Sequence, residues 1–271
     1  MQLDFLNIKQ NDLRSNNYSL DTLVSTPKVC VVFPVYNPPT DWWKHSMAYC
    51  KQIIETEPLY NWQFHFVNDG SLRADIFPSK KQLDTEGYAD NLFVFFHSYL
   101  QNQGKGYAIR YGLQETDDDA DVYMHCDWDF PFGSDLLLDA LKELKEADVV
   151  LADRGQEYLS HLPAFRQKLT QTQRLFNRHV LKLKATDTQA GFKAFNETGK
   201  QVFLKTAING FLFDTEFVKM SEQRALTIST LQANCRHNLQ FKNFRFKVLL
   251  KEVVNLTGLI ARFSFNFKKL M

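Results

Sequence analysis

Short runs rich in β-branched and aromatic residues alternate with amphipathic segments through the first half of the chain. The runs have the length and composition of β-strands, and the segments between them space their apolar residues as helices do. Strands are predicted at 29–33, 62–67, 92–96, 122–126 and 149–152, and helices after Asp41 and over 104–113 and 134–145. Strands that alternate with helices form a mostly parallel sheet with helices on both faces. The predicted fold class is therefore α/β, with a doubly wound, Rossmann-like sheet.

Polar residues follow four of these strands at the point where each strand ends. They occupy 34–37, 68–71, 127–129 and 153–154. The carboxyl ends of parallel strands meet at one edge of the sheet, and open α/β folds bind their ligands there. The sequence therefore predicts a ligand site at this edge.

The most informative of these motifs is Asp127-Trp128-Asp129, which follows the strand at 122–126. Side chains two residues apart leave a strand end on the same side. Two carboxylates on one side can hold a hard divalent cation and leave its other positions to phosphate oxygens and water. Magnesium or manganese held in this way is typical of phosphate chemistry. Asp127 and Asp129 are therefore predicted to be metal ligands.

Composition favours a globular protein, because 44% of the 271 residues are hydrophobic and 14% are aromatic, enough for a large core. Residues 1–17 lack the pattern of a signal peptide, and no run of about 18 apolar residues predicts a membrane helix. We therefore expect a cytoplasmic protein. The four cysteines have no short spacing, which favours reduced, mostly buried thiols over a zinc site or disulfides.

Three parts are predicted along the chain: an extension at 1–27, a catalytic domain at 28–235 and a basic, aromatic helical tail at 236–271. Helices are predicted at 162–183, 213–224 and 246–263, and a loop at 187–193 enters a short strand. The tail holds eight Lys or Arg residues and one Glu, whereas the remainder is acidic on balance. The acidic remainder argues against nucleic acid as a partner.

The tail alternates basic and apolar residues, with Lys242, Arg245, Lys247 and Lys251 among the basic ones. Amphipathic segments of this kind can lie in a membrane interface and contact anionic lipids. The sequence therefore predicts peripheral membrane contact through the tail. A helix that packs on the domain, with its basic side chains solvated, is the alternative.

Seven stretches, in order along the chain, carry a resemblance to a known family. They are 31–37, 67–71, 102–108, 127–129, 152–154, 187–193 and 213–216, which read VVFPVYN, VNDGS, NQGKGYA, DWD, ADR, DTQAGFK and FDTE. In these residues the chain resembles the family 2 glycosyltransferases of the GT-A fold. Within that family it looks most like the branch that makes dolichyl- or polyprenyl-phosphate sugars. The resemblance implies a hexosyltransferase that uses a UDP- or GDP-sugar together with Mg²⁺ or Mn²⁺.

The resemblance also implies a nucleotide-sugar site at the carboxyl edge. Its residues are expected to be Pro34, Tyr36, Asn37, Asp69, Lys105, Asp127 and Arg154. The Asp69 carboxylate can accept a hydrogen bond from a base imide N–H, and the Tyr36 ring can stack on the base. Arg154 can hold a phosphate through two N–H groups. Asn68 stands where the family commonly has Asp, and its side chain is expected to cap the turn.

The remaining candidates concern the acceptor. Arg166 and Lys168 are expected to contact an acceptor phosphate, with a solvated basic helix face as the alternative. Asp187, Asp214 and Glu216 are the candidate catalytic carboxylates. If the acceptor is a hydroxyl, one of them must act as general base, whereas a phosphate acceptor is already ionised and needs none. For the last two, favourable charge at a helix N-terminus is the alternative.

The predicted function is metal-dependent, inverting transfer of a sugar from a nucleotide-sugar donor to a polyprenyl-phosphate-type acceptor at the inner face of the membrane. Two alternatives stay open. One is transfer to a saccharide hydroxyl in cell-surface polysaccharide synthesis. The other is a non-catalytic protein that binds a nucleotide sugar.

Overall fold

The computed structural model of the chain describes residues 26–73, 75–79, 90–116, 119–235, 255–260 and 262–263. The strands in this part are β1 (Lys28–Val35), β2 (Asn61–Asp69), β3 (Leu92–Tyr99), β4 (Val122–Cys126), β5 (Val149–Asp153), β6 (Phe192–Phe195) and β7 (Ile228–Gln232). The helices are α1 (Trp42–Thr56), α2 (Lys105–Gln114), α3 (Asp135–Glu143), α4 (Gly155–Ser160), α5 (Ala164–His179), α6 (Glu197–Leu204) and α7 (Phe213–Gln223). Residues 255–260 and 262–263 are also helical.

The strands form one sheet in the order β3-β2-β1-β4-β6-β5-β7. Neighbouring strands are parallel except at β6, which runs antiparallel to both β4 and β5. The direction of β6 follows from where it begins. Gly191, just before it, accepts a hydrogen bond through its carbonyl from Asp127 N at 3.1 Å, so β6 starts at the carboxyl edge and runs back. The mostly parallel sheet predicted from the sequence is confirmed.

The strand order reverses at the centre of the sheet. From β1 the chain adds β2 and β3 on one side and then returns to place β4 on the other side of β1. Loops on either side of such a switch point leave in opposite directions and open a crevice between them. The residues after β1 and those after β4 therefore border one crevice.

Side chains of β1 alternate between two buried layers. Val29, Val31 and Phe33 pack with residues of α1 and α3 on one face of the sheet. Cys30 and Val32 pack with residues of α2, α6 and α7 on the other face. Because helices cover both faces, the central strand is apolar along its length. This arrangement leaves the strand ends, rather than the faces, as the place where polar residues gather.

Several predicted elements differ from the structure. The helix predicted at 162–183 is α5, which begins directly after Pro163 and ends at His179, and the short helix α4 before it was not predicted. Asp41 occupies the N-cap position of α1, but its side chain makes no capping hydrogen bond within the described residues. Neither α6 nor β7 was predicted, since α6 has only eight residues and β7 is a partly exposed strand at the edge of the sheet.

Two sequence predictions fall on residues that the structure does not describe. The N-terminal extension up to residue 25 is one, and most of the basic tail, including residues 236–254, is the other. Among the described residues, no helix has the length and apolar character needed to cross a membrane. All four cysteines are free and three of them are buried, as predicted.

Candidate active site

The loops after β1 and β2 are tied together by hydrogen bonds. Asn37 N donates to Ser71 Oγ at 2.9 Å, and Leu72 N donates to Asn37 Oδ1 at 2.9 Å. Ser71 N also donates to Asn68 Oδ1 at 2.9 Å, which confirms the predicted turn cap. The side chain of Asn37 is therefore used to join two loops, and its role toward a nucleotide sugar stays a prediction.

Pro34 and Tyr36, the two residues predicted to line the base pocket from β1, lie at the rim of the crevice. Pro34 is partly buried, and Tyr36 is 47% exposed. An exposed tyrosine ring can stack on a base without displacing other side chains. The structure thus leaves the ring accessible, and the base-binding role of both residues stays a prediction.

Asp69 ends β2 and holds the loop that leads into α2. Its carboxylate accepts hydrogen bonds from the Tyr99 hydroxyl at 2.9 Å, Asn102 Nδ2 at 2.8 Å, Gln103 N at 2.7 Å and Gly104 N at 3.1 Å. Burial raises the pKa of Asp69, and these hydrogen bonds oppose the rise. The Asp69 oxygens were predicted to accept a hydrogen bond from a base imide N–H. In the structure they already accept the four hydrogen bonds described above.

Asp127 directly follows the end of β4, as predicted, and Asp127 and Asp129 lie in a turn there. β4 ends at Cys126, and Phe130 N donates to Asp127 O at 2.9 Å. The strand alternation that placed both carboxylates on one side is therefore wrong, because it applies only to extended chain. Asp129 is half-buried, and its carbonyl oxygen lies 3.2 Å from His45 Nε2. Both aspartates border the crevice, and their role as metal ligands stays a prediction.

Lys105, the first residue of α2, contacts the first of these aspartates. Its Nζ lies 2.5 Å from Asp127 Oδ1, and the two side chains are 23% and 34% exposed. Burial alone lowers the pKa of the ammonium, but the charges of Asp127 and Asp214 outweigh burial and raise it. Gly191 leaves room for the carboxylate, because a Cβ on Gly191 would collide with Asp127 Oδ2. The structure thus brings together two of the predicted nucleotide-sugar residues.

A second ion pair lies behind the first. Lys193 Nζ is 2.6 Å from Asp214 Oδ1, and both side chains are almost fully buried. Burial raises the pKa of Asp214 and lowers the pKa of Lys193. His125 Nε2 lies 3.8 Å from the same oxygen, and burial holds the pKa of His125 well below its usual range. Asp214 is 4% exposed, so a substrate hydroxyl has no direct access to its carboxylate. The role of general base that the sequence predicted for Asp214 does not fit this burial.

Asp187 lies between two arginines. Arg154 donates through Nε to Oδ2 at 2.9 Å and through Nη2 to Oδ1 at 2.5 Å, and Arg174 Nη2 donates to Oδ2 at 2.7 Å. Burial alone would raise the pKa of Asp187, but the hydrogen bonds and charges of the arginines lower it to about 2. A carboxylate with so low a pKa and both oxygens engaged is a poor general base. The predicted catalytic role of Asp187 therefore does not fit these contacts, which position the two arginines instead.

Arg174 was missed by the sequence reasoning. It lies on α5, and its Nη2 also lies 3.6 Å from Asp153 Oδ1. Arg154 is held on its other side by Tyr158, whose hydroxyl accepts from Nη1 at 3.2 Å and whose ring centroid lies 4.5 Å from Cζ. One sequence feature could have indicated Arg174. This arginine follows Arg166 by eight residues, which is about two helical turns, so the two basic side chains lie on neighbouring parts of the helix surface.

The two residues predicted for an acceptor phosphate lie near the start of α5. Arg166 is partly buried, and Lys168 is exposed. Around the helix Arg166 is about 80° from Arg174, whereas Lys168 is about 120° from it. The structure therefore places Arg166 nearer the face of the arginine cluster, and Lys168 fits the solvated helix face that was its alternative.

Glu216 is fully buried in the first turn of α7. Its Oε2 accepts hydrogen bonds from Ala207 N at 2.9 Å and Ile208 N at 2.8 Å, and its Oε1 pairs with Arg262. The next residue of that loop, Asn209, accepts through its carbonyl from an N–H in the first turn of α2. Glu216 therefore positions the loop between α6 and α7, and it lacks the exposed carboxylate that its predicted catalytic role requires.

A cavity of about 390 Å³ opens on the far side of this loop. It is lined by Ala207, Ile208, Asn209, Gly210, Glu216, Asn255, Gly258, Leu259 and Arg262. Neither Asp127 nor Lys105 lines it. The cavity thus belongs to the packing between α7 and the helical residues near 260 rather than to the crevice at the switch point.

The donor atoms at the crevice fit a divalent cation that brings part of its own coordination. Within the ranges that the structure describes, no group of three or more His, Cys, Asp or Glu residues is placed to hold a metal ion. Asp127 and Asp129 offer hard oxygens, and the missing Cβ of Gly191 makes room for the Asp127 carboxylate. Such a pair suits Mg²⁺ or Mn²⁺ whose other ligands are phosphate oxygens and water. A closed structural metal site does not fit these residues.

A comparison with protein-family models finds no match, and neither does a comparison with curated proteins. Solved structures do match. The chain is similar to mannosyl-3-phosphoglycerate synthase from Rubrobacter xylanophilus over 90% of this chain and 75% of that one, with a TM-score of 0.55 and 16% identity. It is similar to glucosyl-3-phosphoglycerate synthase from Mycobacterium tuberculosis, in complex with Mn²⁺, UDP and glucosyl-3-phosphoglycerate, over 82% and 75%, with a TM-score of 0.52 and 16% identity.

A third similar structure is the mannosyltransferase PcManGT from Pyrobaculum calidifontis in complex with GDP-Man and Mn²⁺. The TM-score is 0.50 at 14% identity, over 77% of this chain and 56% of that one. This chain also spans 59% of S. aureus TarS 1–349, at a TM-score of 0.45. The similarity establishes the fold as the GT-A type, a mostly parallel sheet flanked by helices, as the sequence predicted.

Proposed function

We propose that the chain is a metal-dependent glycosyltransferase that moves a sugar from a nucleoside-diphosphate sugar to an acceptor that carries a phosphate. The observation that carries the proposal is the Lys105–Asp127 pair at the switch point of a GT-A-type sheet. A partly exposed carboxylate can bind a divalent cation, and a neighbouring ammonium can bind phosphate. Two of the similar solved structures contain Mn²⁺ together with UDP or GDP-Man, which supports binding of a metal ion together with a nucleotide here.

Different residues of the chain contact different parts of the nucleotide-sugar donor. Asp127 and Asp129 would hold Mg²⁺ or Mn²⁺, which when bound offsets the charge of the departing nucleoside diphosphate. Tyr36 stacks on the base, and Lys105 contacts the diphosphate. Asp69 acts through the loop before α2, because its hydrogen bonds fix the position from which Lys105 reaches the crevice.

The arginine cluster supports a phosphate on the acceptor. Arg154 and Arg174 share the buried carboxylate of Asp187, and Arg174 Nη2 also lies 3.6 Å from the more exposed Asp153. The Arg154 and Arg174 side chains are 13% and 16% exposed, whereas Arg174 Nε is buried and has no hydrogen-bond partner among the described residues. Guanidinium groups with remaining N–H donors are well shaped to hold phosphate. The cluster therefore suits an anionic acceptor group better than a neutral one.

The state of the three candidate catalytic carboxylates favours attack by a phosphate oxygen. Asp187 is engaged by two arginines, Asp214 is buried against Lys193, and Glu216 is buried on backbone N–H groups. None of them can accept a proton from a substrate hydroxyl and keep these partners. A phosphate monoester is already ionised, so its oxygen can attack the anomeric carbon while the bond to the diphosphate oxygen breaks. Direct displacement of this kind inverts the anomeric configuration.

Two acceptors carry a phosphate that the arginine cluster could hold. One is the polyprenyl phosphate predicted from the sequence, whose phosphate oxygen would attack, and the other is a small phosphorylated hydroxy acid such as the 3-phosphoglycerate after which two similar enzymes are named, which offers a hydroxyl as well. The lipid acceptor is the one we favour, because the basic, aromatic tail can bring the chain to an anionic membrane surface. Vesicle co-sedimentation of the full chain tests this. Binding to anionic but not to neutral vesicles is expected, and equal, weak binding to both would remove the membrane contact.

A transfer assay tests the activity. UDP-glucose and GDP-mannose are each offered with Mn²⁺ or Mg²⁺ to three acceptors: a polyprenyl phosphate, 3-phosphoglycerate and a neutral oligosaccharide. We expect product only with a phosphate-bearing acceptor, and none after chelation of the metal. Product with the oligosaccharide would favour the hydroxyl alternative. Nucleotide binding without transfer to any acceptor would favour the non-catalytic alternative.

A further inference from the structure

The start of α2 has used most of its backbone donors internally. A helix N-terminus ordinarily offers unpaired N–H groups to a phosphate. Here Gln103 N and Gly104 N donate to Asp69, and Gly106 N donates to a carbonyl of the loop before α7. The side chain of Lys105 is therefore the donor that this helix start can extend toward a diphosphate.

That side chain already has an anionic partner. Lys105 Nζ lies 2.5 Å from Asp127 Oδ1, in contact distance for a charge-assisted hydrogen bond. A divalent cation would bind a carboxylate oxygen at about 2.0–2.1 Å if it were Mg²⁺, so it would lie against the ammonium. Two cations at that separation repel each other strongly in a partly desolvated site. The ammonium and the metal therefore compete for Asp127.

The surroundings hold the carboxylate in place for this competition. Asp127 N donates to Gly191 O at 3.1 Å, and a side chain on Gly191 would collide with Asp127 Oδ2. The ammonium also feels Asp214 from the buried side, but Asp214 is already paired with Lys193 at 2.6 Å. A metal ion added without any new anion would leave positive charge in excess here. A diphosphate supplies the missing negative charge.

We infer that Lys105 is an internal cation that occupies the metal position of Asp127 until a nucleoside diphosphate arrives. The inference rests on the proposed function, because it requires the diphosphate and the metal to share this crevice. The diphosphate draws the ammonium onto its own oxygens and leaves the carboxylate to the metal. Metal and nucleotide then bind as a pair, and each raises the affinity of the chain for the other.

The test measures Mn²⁺ binding to the full chain, without nucleotide and with UDP or GDP, from the electron paramagnetic resonance signal of free Mn²⁺. Lys105→Met removes the charge and keeps a side chain of similar length. We expect this variant to bind Mn²⁺ without nucleotide at least about tenfold more tightly than the wild type. It should also bind nucleotide without metal more weakly, because it lacks the ammonium that contacts the diphosphate.

Two further variants separate charge from shape. Lys142 forms an exposed ion pair with Asp139 at 3.0 Å on α3, so Lys142→Met removes a comparable charge away from the crevice. It should leave Mn²⁺ binding unchanged. Lys105→Arg keeps the charge, and it should restore the weak Mn²⁺ binding of the wild type. Circular dichroism confirms that each variant is folded.

An Mn²⁺ affinity of the Lys105→Met variant within about twofold of the wild type, or weaker, would overturn the inference. So would a wild type that binds Mn²⁺ as tightly without nucleotide as with it. Failure of the proposed function has a different signature. If no sugar is transferred but Lys105→Met still tightens Mn²⁺ binding, the internal cation stands and the transferase does not.

Discussion

Asp127 and Asp187, two aspartates at the same edge of the sheet, have opposite surroundings. Asp127 is 34% exposed and is paired with one ammonium. Asp187 is 2% exposed and lies between two guanidiniums, which lower its pKa to about 2 despite burial. A buried carboxylate with two fixed partners builds the site. A partly exposed carboxylate with one partner on a flexible side chain can exchange that partner for a ligand.

The different surroundings of the two aspartates predict different energetic effects of substitution. Removing one partner of a buried ion pair costs about 3–5 kcal/mol, because a charge is left uncompensated. Exposed pairs contribute about 0–1 kcal/mol. Substitutions at Asp187 should therefore lower the free energy of unfolding, and substitutions at Asp127 should lower the rate of sugar transfer.

The largest effect is expected for Asp127→Asn. Loss of the charge that we propose holds the metal should lower the rate of sugar transfer by about 10²–10³-fold, while the variant stays folded. Steady-state transfer kinetics with Mn²⁺ measure it. Asp139→Asn, on the exposed face of α3, is the matched control and should keep its activity. Near-normal turnover in Asp127→Asn would refute the metal assignment.

Asp187→Asn should act on stability. We expect its free energy of unfolding to fall by about 3 kcal/mol, because Arg154 and Arg174 lose the charge that compensates them. Urea unfolding measures this, with Asp127→Asn as the comparison, which should lose less than about 1 kcal/mol. Equal losses in the two variants would show that the contrast between the two carboxylates is wrong.

The pH dependence of stability sharpens the same comparison. The folded pKa of Asp187, about 2, lies below the ordinary aspartate value of 3.8, so the unfolded chain binds the proton more tightly. Its contribution is therefore fully present above about pH 4 and is lost as pH falls through about 2, by about 2 kcal/mol. Urea unfolding between pH 5 and pH 3 should show a decline in the wild type that is smaller in Asp187→Asn. Parallel curves would contradict the assignment.

A smaller effect is expected for Arg174→Lys. Lysine keeps the charge but loses the fork of N–H groups, so the KM for a phosphate-bearing acceptor should rise about tenfold, with little change in the KM for the donor. Arg178→Lys, exposed on the same helix, is the matched control and should change neither. If both variants behave alike, the cluster around Asp187 does not contact the acceptor.

The sheet and the position of the site followed from local patterns. Strands, helices and the polar residues at strand ends are encoded within short windows, so Asp127 and Arg154 were predicted at the carboxyl edge from local patterns, and Lys105 from the family resemblance. The state of each carboxylate was not predictable in this way. The partners of Asp187 lie 33 and 13 residues away, and Asp69 is held by an N–H 34 residues away.

The residues whose contacts the sequence did not predict share one cause, which is that their partners are not encoded in a local pattern. Glu216 carries no local sign that it binds the backbone of the preceding loop, and Arg174 belongs to no motif. β4 ends at Cys126 as predicted, but a turn follows it at 127–130, closed by a hydrogen bond from Phe130 N, at φ 45°, to Asp127 O. Sequence patterns therefore predicted where the candidate site lies, and the structure was needed to separate the residues that position its loops from those available to a ligand.

The most direct test of the account is the thermal stability of the full chain with UDP or GDP, each with and without Mn²⁺. A ligand that binds only the folded state stabilises it by about 2.7 kcal/mol at a concentration of about 100 times its Kd. We expect a marked rise in Tm with one nucleotide when Mn²⁺ is present, and little rise with Mn²⁺ alone or in Asp127→Asn. No rise with either nucleotide and Mn²⁺, or an equal rise in Asp127→Asn, would contradict it.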